Sequence, residues 1–582
     1  MRTLSLLLLL ACRGPQETSA EPSSDASSVR DALYFVLVDR YANGDPSNDE
    51  TTSPDDPSGW HGGDLAGVYQ HLDDIQDLGV GGVWLSPISA TRTEPFNGWG
   101  AFHGYWTRDL GDIEPRFGSF DDARRLSAAL HERGLKLLLD MVYNHVGYDT
   151  PRTRSHPDWF HDNGDIVDWE NPEQKVTHDV HGLPDLAQEN PEVYLHLLEA
   201  SRRWIREVQP DGFRIDAVGH LPSAFLRQLG ADLRAEAGPS FALLGEYFDG
   251  DPYRLAERFS ADGFTSIFDF PLHYAMVDVF CRGAHTGRIA ATLSDDRAYT
   301  LPAGPFAAEL RPRVTFLDNH DVPRIASQCG GNLDRVSLAL AFQLTTRGTP
   351  ALYQGIEHGA QGDKDPANRA DMRFVEHELK ALIRDLLDLR AKQPSLHSGR
   401  VVLDEVGPTH LVYRRIGQDD ETLIVVNLDD EAMALSERER RFTRGADAAH
   451  QITQRSMRAL AARTDRVPKH SVTLWTAPAS STLERAQQAV QAKWLVRVED
   501  APPELIPHLR LVGSGPETGR WNPSNGVIAS PTDPLRFTFD APSDAVFAVK
   551  LIAVMPDGDV RWSKRTDRYL FTPTSDSFVV SW

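Results

Sequence analysis

Short apolar runs rich in β-branched and aromatic residues alternate with helical patterns from residue 31 onwards. This alternation is typical of parallel βα units. Four stretches carry apolar residues at helical spacing and stop near a glycine or proline, namely 65–78, 120–130, 195–205 and 333–344. The predicted strands are 33–40, 82–88, 135–142, 212–218, 242–248, 264–270, 314–321 and 350–355.

Eight such units over about 350 residues predict an α/β protein built on a (β/α)8 barrel, which we expect to span 31–390. About 70 residues separate the third strand from the fourth, so an inserted domain is expected at about 146–195. The structural alternative is an open, doubly wound sheet. It is disfavoured because no glycine-rich phosphate-binding turn follows the first strand.

The chain outside the barrel divides into five further segments. Residues 391–478 alternate apolar and polar positions, which predicts a β-sandwich domain, and residues 495–582 form a last β-rich module. Between them, the Ala- and Gln-rich segment 479–494 is predicted to be a helical linker. At the other end, 1–11 has the layout of a signal peptide, and 12–30 has the composition of a disordered tether.

The charge balance and the cysteine count exclude several classes of protein. With 60 Lys and Arg against 84 Asp and Glu, the net charge is −24, so no positive field attracts nucleic acid or an anionic membrane. Cys12, Cys281 and Cys329 are too few for a disulfide-dense scaffold or a multi-cysteine zinc cluster. The sequence leaves open whether Cys281 and Cys329 pair. After the first dozen residues, no apolar run approaches the ~18 residues that span a bilayer.

Polar side chains gather at the ends of four predicted strands. They are Asp140, Asn144 and His145 at the third strand, Arg214 and Asp216 at the fourth, Glu246 at the fifth, and His320 and Asp321 at the seventh. One acidic residue after a strand is more often a helix cap or a solvated loop residue. Active sites of these barrels lie at the C-terminal rim of the strands, so four segments in phase predict one shared site.

These segments carry sequence motifs of a known family. DMVYNH (140–145), GFRIDAVGH (212–220), GEY (245–247) and FLDNHD (316–321) resemble the four signature regions of the α-amylase family, glycoside hydrolase family 13. GVGGVWLSP (79–87), LPDL (183–186) and GTPALYQG (348–355) are similar to the additional motifs of that family. The resemblance runs from about residue 31 to residue 478.

The resemblance implies Asp216 as nucleophile, Glu246 as general acid/base and Asp321 as the carboxylate that stabilises the transition state. Retaining cleavage of an acetal needs a nucleophilic carboxylate and a carboxylic acid about 5 Å apart. Glu246 must hold its proton until it acts, and surrounding anions would raise its pKa. Arg214 lies two residues before Asp216 on the same strand face, where it is expected to keep the nucleophile ionised.

The resemblance also implies substrate contacts. The expected sugar-binding residues are His103, Tyr105, His145 and His320 in subsite −1, and Asp365 and Arg369 on the non-reducing side. Tyr105 would stack on the sugar, and the histidines would bind its hydroxyls. The many amylases of the family carry Lys-His at the end of the second signature, whereas this chain has Gly219-His220. Specificity on the leaving-group side therefore stays open.

Two calcium sites are implied by resemblance. Asn144, Asp185 and the carbonyl of His220 match the structural site of the family, whose oxygen ligands suit Ca²⁺ and would join the inserted domain to the barrel. A second cluster resembles an extra site of cyclodextrin glycosyltransferases, and it comprises Asn43, Asp45, Asn48, Asp49, Gly62 and Asp64. The alternative for this second cluster is a polar loop of Asx turns.

Both ends of the chain resemble known segments. The last domain resembles a family 20 starch-binding module, in which Trp521 and Trp562 would stack on glucose rings and Lys550 would add a polar contact. Buried core tryptophans are the alternative, and the tyrosines of that module's second site are not evident. Residues 9–12 resemble a bacterial lipobox, which implies a lipid on Cys12, although the segment is shorter than such signals usually are.

We therefore expect an exported, retaining α-1,4-glucan hydrolase of α-amylase type, acting on starch and maltooligosaccharides with Ca²⁺ bound. It is expected to be monomeric, to bind no nucleic acid, and to contact a membrane only through an N-terminal lipid. A transglycosylase of the same family, such as a cyclodextrin glycosyltransferase or a maltogenic enzyme, is the first alternative, although the former usually has one more β domain. A non-catalytic glucan-binding protein would be expected to lose one of the three carboxylates, and a transporter-associated relative would need a membrane span.

Overall fold

The structure is a computed structural model that describes residues 32–49, 52–299, 313–460, 464–479, 491–571 and 577–582. The predicted signal peptide and tether, with Cys12, and residues 480–490 of the linker lie outside the described residues. Among the residues that are described, no helix combines the length and apolarity needed to cross a bilayer.

Eight parallel strands close into a barrel, and each strand pairs with its neighbours in chain order. The strands are β1 (Leu33–Val36), β2 (Gly82–Leu85), β3 (Lys136–Met141), β4 (Gly212–Ile215), β5 (Ala242–Gly245), β6 (Ser266–Phe268), β7 (Arg313–Phe316) and β8 (Thr349–Tyr353). Leu33 of β1 pairs with Gly82 of β2 and with Ala351 of β8, which closes the ring. The predicted (β/α)8 barrel is confirmed, and the open sheet is excluded.

The strands are shorter than predicted at their C-terminal ends. In β4 the ladder stops at Ile215, because Ala217 adopts a left-handed backbone conformation with φ 48° and the chain turns away. The polar residues that follow the strands are therefore loop residues at the rim.

Helices cover the outside of the barrel. Their starts follow local capping: Ser119 and Asp122 form a capping box on the helix between β2 and β3, and Asn190 caps the long helix that leads to β4. The α-helices are Leu65–Gln70, Leu72–Asp77, Phe120–Glu132, Arg152–Ser155, Pro191–Val208, Ser223–Ala237, Pro252–Asp262, Phe270–Met276, Gly287–Ser294, Ile325–Gln328, Leu333–Thr345, Glu378–Lys392, Pro394–Ser398 and Glu437–Gly445, and a π-helical turn spans Val277–Cys281.

Cys281 and Cys329 form a disulfide, which answers the question that the sequence left open.

The insertion between β3 and β4 is irregular. It contains the helix Arg152–Ser155, short 3-10 turns and isolated bridges such as His145 to Asp185 and Phe160 to Leu186. It ends near residue 190 instead of the predicted 195, because Asn190 already caps the next helix. A hairpin of Ser89–Thr91 and Thr107–Ile113 lies beside it, after β2.

Two β domains follow the barrel. The first has a six-stranded sheet of Arg400–Val406, His410–Ile416, Asp420–Asn427, Ser471–Pro478, Ala448–Thr453 and Ser456–Ala459, with a small sheet of Met433–Ala434 and Arg466–Val467. The second packs Arg536–Pro542, Gln491–Glu499 and Phe578–Ser581 against Val527–Ile528, Leu509–Gly513, Val546–Val554, Val560–Trp562 and Arg568–Phe571. Its first strand starts at Gln491, so 491–494 form a strand and not the helix that was predicted. Trp494 is buried in the core of this module.

Candidate active site

Four barrel strands deliver acidic residues to one rim. Asp140 lies near the end of β3, Asp216 follows β4, Glu246 follows β5, and Asp321 lies in the loop after β7. Parallel strands end on the same side of the barrel, so these carboxyl groups converge. The left-handed turn at Ala217 points its N–H back to Glu246 Oε2 at 3.0 Å, which links the two loops.

Arg214 holds three of these carboxyl groups. Its Nη1 lies 2.8 Å from Asp140 Oδ1 and 2.7 Å from Asp216 Oδ1, and its Nη2 lies 3.1 Å from Glu246 Oε1. The guanidinium is fully buried, so the charges interact in a medium that screens them weakly. The contact predicted between Arg214 and Asp216 is present, and the sequence did not predict those to Asp140 and Glu246.

Their surroundings shift the pKa values of Glu246 and Asp321 in opposite directions. Burial raises the pKa of Glu246 to about 8, with further contributions from the negative charges of Asp216 and Asp321. Burial acts in the same upward direction on Asp321, but His320, Arg369 and Arg214 outweigh it and lower the pKa of Asp321. The largest cause at Glu246 is burial, and the crowd of anions that the sequence indicated adds to it. One acid stays protonated near neutral pH while its neighbour is ionised.

The predicted subsite residues surround these carboxyl groups. Tyr105 stacks on His320 with ring centroids 5.1 Å apart, and its Oη donates to Asp140 Oδ2 at 2.8 Å. His103 Nδ1 accepts from the backbone N–H of Tyr105 at 3.0 Å, and His145 Nε2 lies 3.2 Å from the Tyr105 carbonyl oxygen. Burial lowers the pKa of all three histidines, that of His320 to about 3. The imidazoles are therefore neutral and can exchange hydrogen bonds with sugar hydroxyls.

The pair Asp365 and Arg369 belongs to the same cluster. Arg369 Nη1 lies 3.0 Å from Asp365 Oδ2, and its Nη2 lies 3.1 Å from Asp321 Oδ1. Its Nε donates to the carbonyl oxygen of His320 at 3.0 Å. Arg369 thus connects the predicted non-reducing-side pair to the third carboxylate, a link that the sequence did not predict.

The leaving-group side has features that the sequence reasoning missed. A Cβ atom at Gly219 would lie 2.7 Å from the ring of Tyr247, so no side chain fits where many amylases have lysine. Phe248, two residues after Glu246, is 54% exposed, and Trp169 of the insertion is 44% exposed. The ring of Trp169 lies 5.9 Å from that of His220 in an edge-to-face arrangement. Phe248 could have been found from its position two residues after Glu246. Trp169 could not, because it lies in an irregular loop whose path the sequence does not specify.

The first predicted calcium site brings three oxygen atoms together. The side-chain oxygen of Asn144 faces the His220 carbonyl oxygen at 2.9 Å and Asp185 Oδ1 at 3.3 Å. Oxygens that face one another need either a reversed amide that donates to both or a cation between them. Within the described part of the chain, no three His, Cys, Asp or Glu side chains form a metal cluster, so a metal here would rest on the Asp185 carboxylate together with an amide and a backbone carbonyl oxygen.

The second predicted calcium cluster is an Asx-turn loop in large part. Asp64 caps the helix Leu65–Gln70 and accepts from Gly44 N–H at 3.0 Å and Asp45 N–H at 2.9 Å. The remaining predicted ligands are also in the loop: Asn43 donates to Asp49, Asp45 accepts from Ser47, and a Cβ atom at Gly62 would lie 2.6 Å from Asp49 Oδ1. Asn48 Oδ1 and Asp49 Oδ1 are buried without a hydrogen-bond partner, which leaves two oxygens for a cation.

In the last domain, Lys550 and Trp562 lie on one face of a sheet. Trp562 pairs with Ile552, which is two residues after Lys550 on the neighbouring strand. Trp562 is 44% exposed, whereas Trp521 is half-buried and packs against the main apolar core. Lys550 Nζ lies 3.5 Å from Asp567 Oδ1. The full burial of both tryptophans, which was the alternative, does not occur.

A parallel barrel whose rim pairs a buried, protonated carboxylic acid with an arginine-bound carboxylate has the parts that glycosidic-bond hydrolysis requires. The fold and the site define a glycoside hydrolase. Residues 35–395 match the family "Alpha amylase, catalytic domain", and residues 475–582 match the "Starch binding domain". The chain belongs to the α-amylase family, carries a starch-binding module, and acts on starch-like glucans.

Several characterised proteins are similar to this chain. The β/α-amylase of Paenibacillus polymyxa is 32% identical over 70% of the chain, which spans only 34% of that protein. A cyclomaltodextrinase of Geobacillus thermopakistaniensis is 31% identical over 69% of this chain and 70% of its own length, and the cyclomaltodextrin glucanotransferase of Klebsiella oxytoca is 28% identical over 71% and 72%. The crystal structure of an α-amylase from Geobacillus thermoleovorans with acarbose superposes with a TM-score of 0.67 at 30% identity, covering 78% of this chain and 99% of that one.

Proposed function

We propose that this protein is a retaining α-amylase that hydrolyses α-1,4-glucosidic bonds in starch and maltooligosaccharides. One observation carries the proposal: Asp216 and Glu246 share the guanidinium of Arg214, and the pKa of Glu246 is raised to about 8. A protonated acid next to an ionised nucleophile is the arrangement required for the first step of a double displacement.

The residues have defined roles in this mechanism. Glu246 protonates the glycosidic oxygen while Asp216 attacks the anomeric carbon. This step gives a glycosyl-enzyme and releases the leaving-group sugar. Glu246, now ionised, takes a proton from water, and the water cleaves the glycosyl-enzyme with overall retention. Asp321, whose pKa is lowered and whose Oδ1 lies 3.1 Å from Arg369 Nη2, stabilises the positive charge of the oxocarbenium-like transition state.

The experiment is a time course of maltoheptaose hydrolysis followed by ¹H NMR, with chromatography of the products from soluble starch. The anomer released first should be α, as retention of an α-bond requires. Asp216→Asn and Glu246→Gln, which hardly change side-chain volume, should lose hydrolysis and keep the fold. A β-anomer as first product, or substantial hydrolysis by either variant, would contradict the proposal.

Transglycosylation is the second candidate function. The exposed rings of Phe248, two residues after Glu246, and of Trp169, next to His220, offer stacking surfaces for an acceptor sugar, which would compete with water for the glycosyl-enzyme. Similar proteins are named cyclomaltodextrinase and cyclomaltodextrin glucanotransferase, and these relatives support transfer as well as they support hydrolysis. Incubation with soluble starch separates the two: cyclic products or oligosaccharides longer than the substrate indicate transfer, and short linear products alone indicate hydrolysis.

We also propose that Ca²⁺ binds between the insertion and the barrel. Asn144, Asp185 and the His220 carbonyl would hold the ion, because their oxygens face one another at 2.9 and 3.3 Å. Asn48 and Asp49, with unpartnered buried oxygens, are the candidates for a second ion. Bound calcium would fix the insertion against the loop that follows Asp216.

Export with a lipid at Cys12 remains a proposal based on the sequence of the first twelve residues. Expression in a bacterium with a labelled fatty acid tests it: label should enter the native protein and be absent from Cys12→Ser. An unlabelled native protein in the medium would favour secretion without an anchor.

A further inference from the structure

The starch-binding module contacts the barrel through a partly buried ion pair. Arg297, in the turn Asp295–Tyr299, faces Glu517 of the module with Nη1 to Oε1 at 3.0 Å and Nη2 to Oε2 at 2.9 Å. The two side chains are 24% and 22% exposed. A two-pronged pair of this kind restricts orientation as well as distance, which a single contact does not.

In a second ion pair, the module supplies the arginine and the barrel supplies the carboxylate. Arg520 of the module lies 2.7 Å from Asp251 Oδ2, and its guanidinium lies 4.9 Å from the ring centroid of Tyr253. Asp251 caps the helix Pro252–Asp262, which begins six residues after Glu246. Arg297 donates to Tyr253 Oη at 3.3 Å, so both ion pairs meet at one tyrosine. We call the pairs Arg297–Glu517 and Arg520–Asp251 the two-arginine clamp.

Apolar packing continues across the same interface. Val546, Ala548 and Phe571 of the module belong to the apolar core that fills the barrel. A Cβ atom at Gly287 would lie 2.4 Å from the ring of Tyr569, so that ring rests directly on the helix Gly287–Ser294. An interface of partly buried ion pairs and shared apolar core differs from the loose contacts that let domains move independently.

The clamp also borders the glucan-binding turn. Arg520 and Trp521 both adopt left-handed conformations, with φ 51° and 60°. Two consecutive non-glycine residues in this region are costly and persist only where surrounding contacts hold them. The contact of Arg520 with Asp251 and the hydrogen bond from Trp521 N–H to the Gly513 carbonyl oxygen at 2.9 Å supply such contacts.

We propose that the barrel and the starch-binding module act as one rigid body, in which the two-arginine clamp fixes the glucan-binding face relative to the catalytic cleft. An enzyme adsorbed to a granule would then present its cleft to neighbouring α-glucan chains in a set orientation. This inference rests on the proposed function, and it makes the module a positioning element for insoluble substrate. A flexibly tethered module would only raise the local concentration of enzyme.

The test uses the full-length protein with Arg297→Ala, Glu517→Ala, the exchanged pair Arg297→Glu/Glu517→Arg, and Arg384→Ala as a control that removes an exposed ion pair of the barrel. In the alanine variants, the module should melt in a calorimetric transition separate from that of the barrel. Adsorption to granules and turnover of maltoheptaose should stay within twofold, whereas hydrolysis of granular starch per adsorbed enzyme should fall at least fivefold. The exchanged pair should recover most of this loss, and the control should match the native protein.

Either of two calorimetric outcomes would overturn the proposal: a module that melts separately in a variant with unchanged granule hydrolysis, or a single unchanged transition in both alanine variants. If an alanine variant fails to fold, Glu517→Gln, which keeps the side-chain shape, should show the same selective loss to a smaller extent. Equal losses on granules and on maltoheptaose would also contradict it. Native protein without activity on maltoheptaose would refute the proposed function instead, while calorimetry would still decide whether the clamp joins the domains.

Discussion

The raised pKa of Glu246 leads to a quantitative prediction about the pH dependence of hydrolysis. At pH 6 a glutamic acid with the ordinary pKa of 4.5 is protonated in about 3% of molecules, whereas one with a pKa of about 8 is protonated in about 99%. Burial therefore increases the population of competent acid by about 30-fold. Because the acid works in its protonated form, kcat/KM for maltoheptaose should stay high through neutral pH and fall above about pH 8.

The assay measures kcat/KM from about pH 4 to pH 10 for maltoheptaose and for an aryl maltotrioside with a good leaving group. The aryl substrate needs little help from an acid, so its first step should persist at high pH and in Glu246→Gln, which should not hydrolyse maltoheptaose. The apparent pKa describes the coupled site, since Asp216 and Glu246 interact through Arg214. An alkaline limb near pH 5, or equal pH profiles for both substrates, would refute the reasoning.

Three further predictions follow from other parts of the molecule. A chelator should lower the melting temperature and added Ca²⁺ should restore it, whereas Asp185→Asn should melt at the lower temperature under both conditions; an identical melt with and without chelator would argue against the metal. Replacing Cys281 and Cys329 with alanine removes a cross-link over 48 residues and should cost about 4 kcal/mol of unfolding free energy in denaturant titration; a cost below about 1 kcal/mol would contradict this. Trp562→Ala should weaken granule adsorption and leave the melt of the protein unchanged, because the ring is exposed; a destabilised module would instead assign it to the core.

The periodicity of the sequence predicted the barrel, because strands buried on both faces appear as short apolar runs and their helices have one apolar side. It overestimated strand length at the rim, since the polarity of residues such as Asp216 does not show where a ladder stops. The end of β4 is set by the left-handed turn at Ala217, and an alanine in the sequence does not predict that backbone conformation. The motifs placed all three catalytic candidates near one another and named Arg214 and Arg369; the structure adds the contacts of Arg214 with Glu246 and of Arg369 with Asp321.

The contact between the barrel and the starch-binding module was beyond prediction. Arg297 and Glu517 are 220 residues apart, and each has the surroundings of an ordinary surface residue in the sequence. The sequence therefore suggested a module joined only by a linker, with Trp521 and Trp562 as equivalent exposed rings. Because Trp521 packs against the main core, its replacement would disturb the docking as well as glucan binding, and Trp562 is the cleaner probe of adsorption.

The hydrogen bonds around Arg214 explain why the proton of the site resides on Glu246. One guanidinium cannot neutralise three buried carboxylates, so a proton must be retained by the group whose ionised form is supported least. Asp140 accepts from Trp84 Nε1 at 3.1 Å, Tyr105 Oη at 2.8 Å and Arg214 Nη1 at 2.8 Å. Glu246 accepts one backbone N–H and lies 3.1 Å from Arg214 Nη2. Burial raises the pKa of both Asp140 and Glu246, and the hydrogen bonds from Arg214 and Tyr105 oppose that rise at Asp140. Asp140, to which the sequence assigned no catalytic role, thus helps to leave Glu246 as the acid.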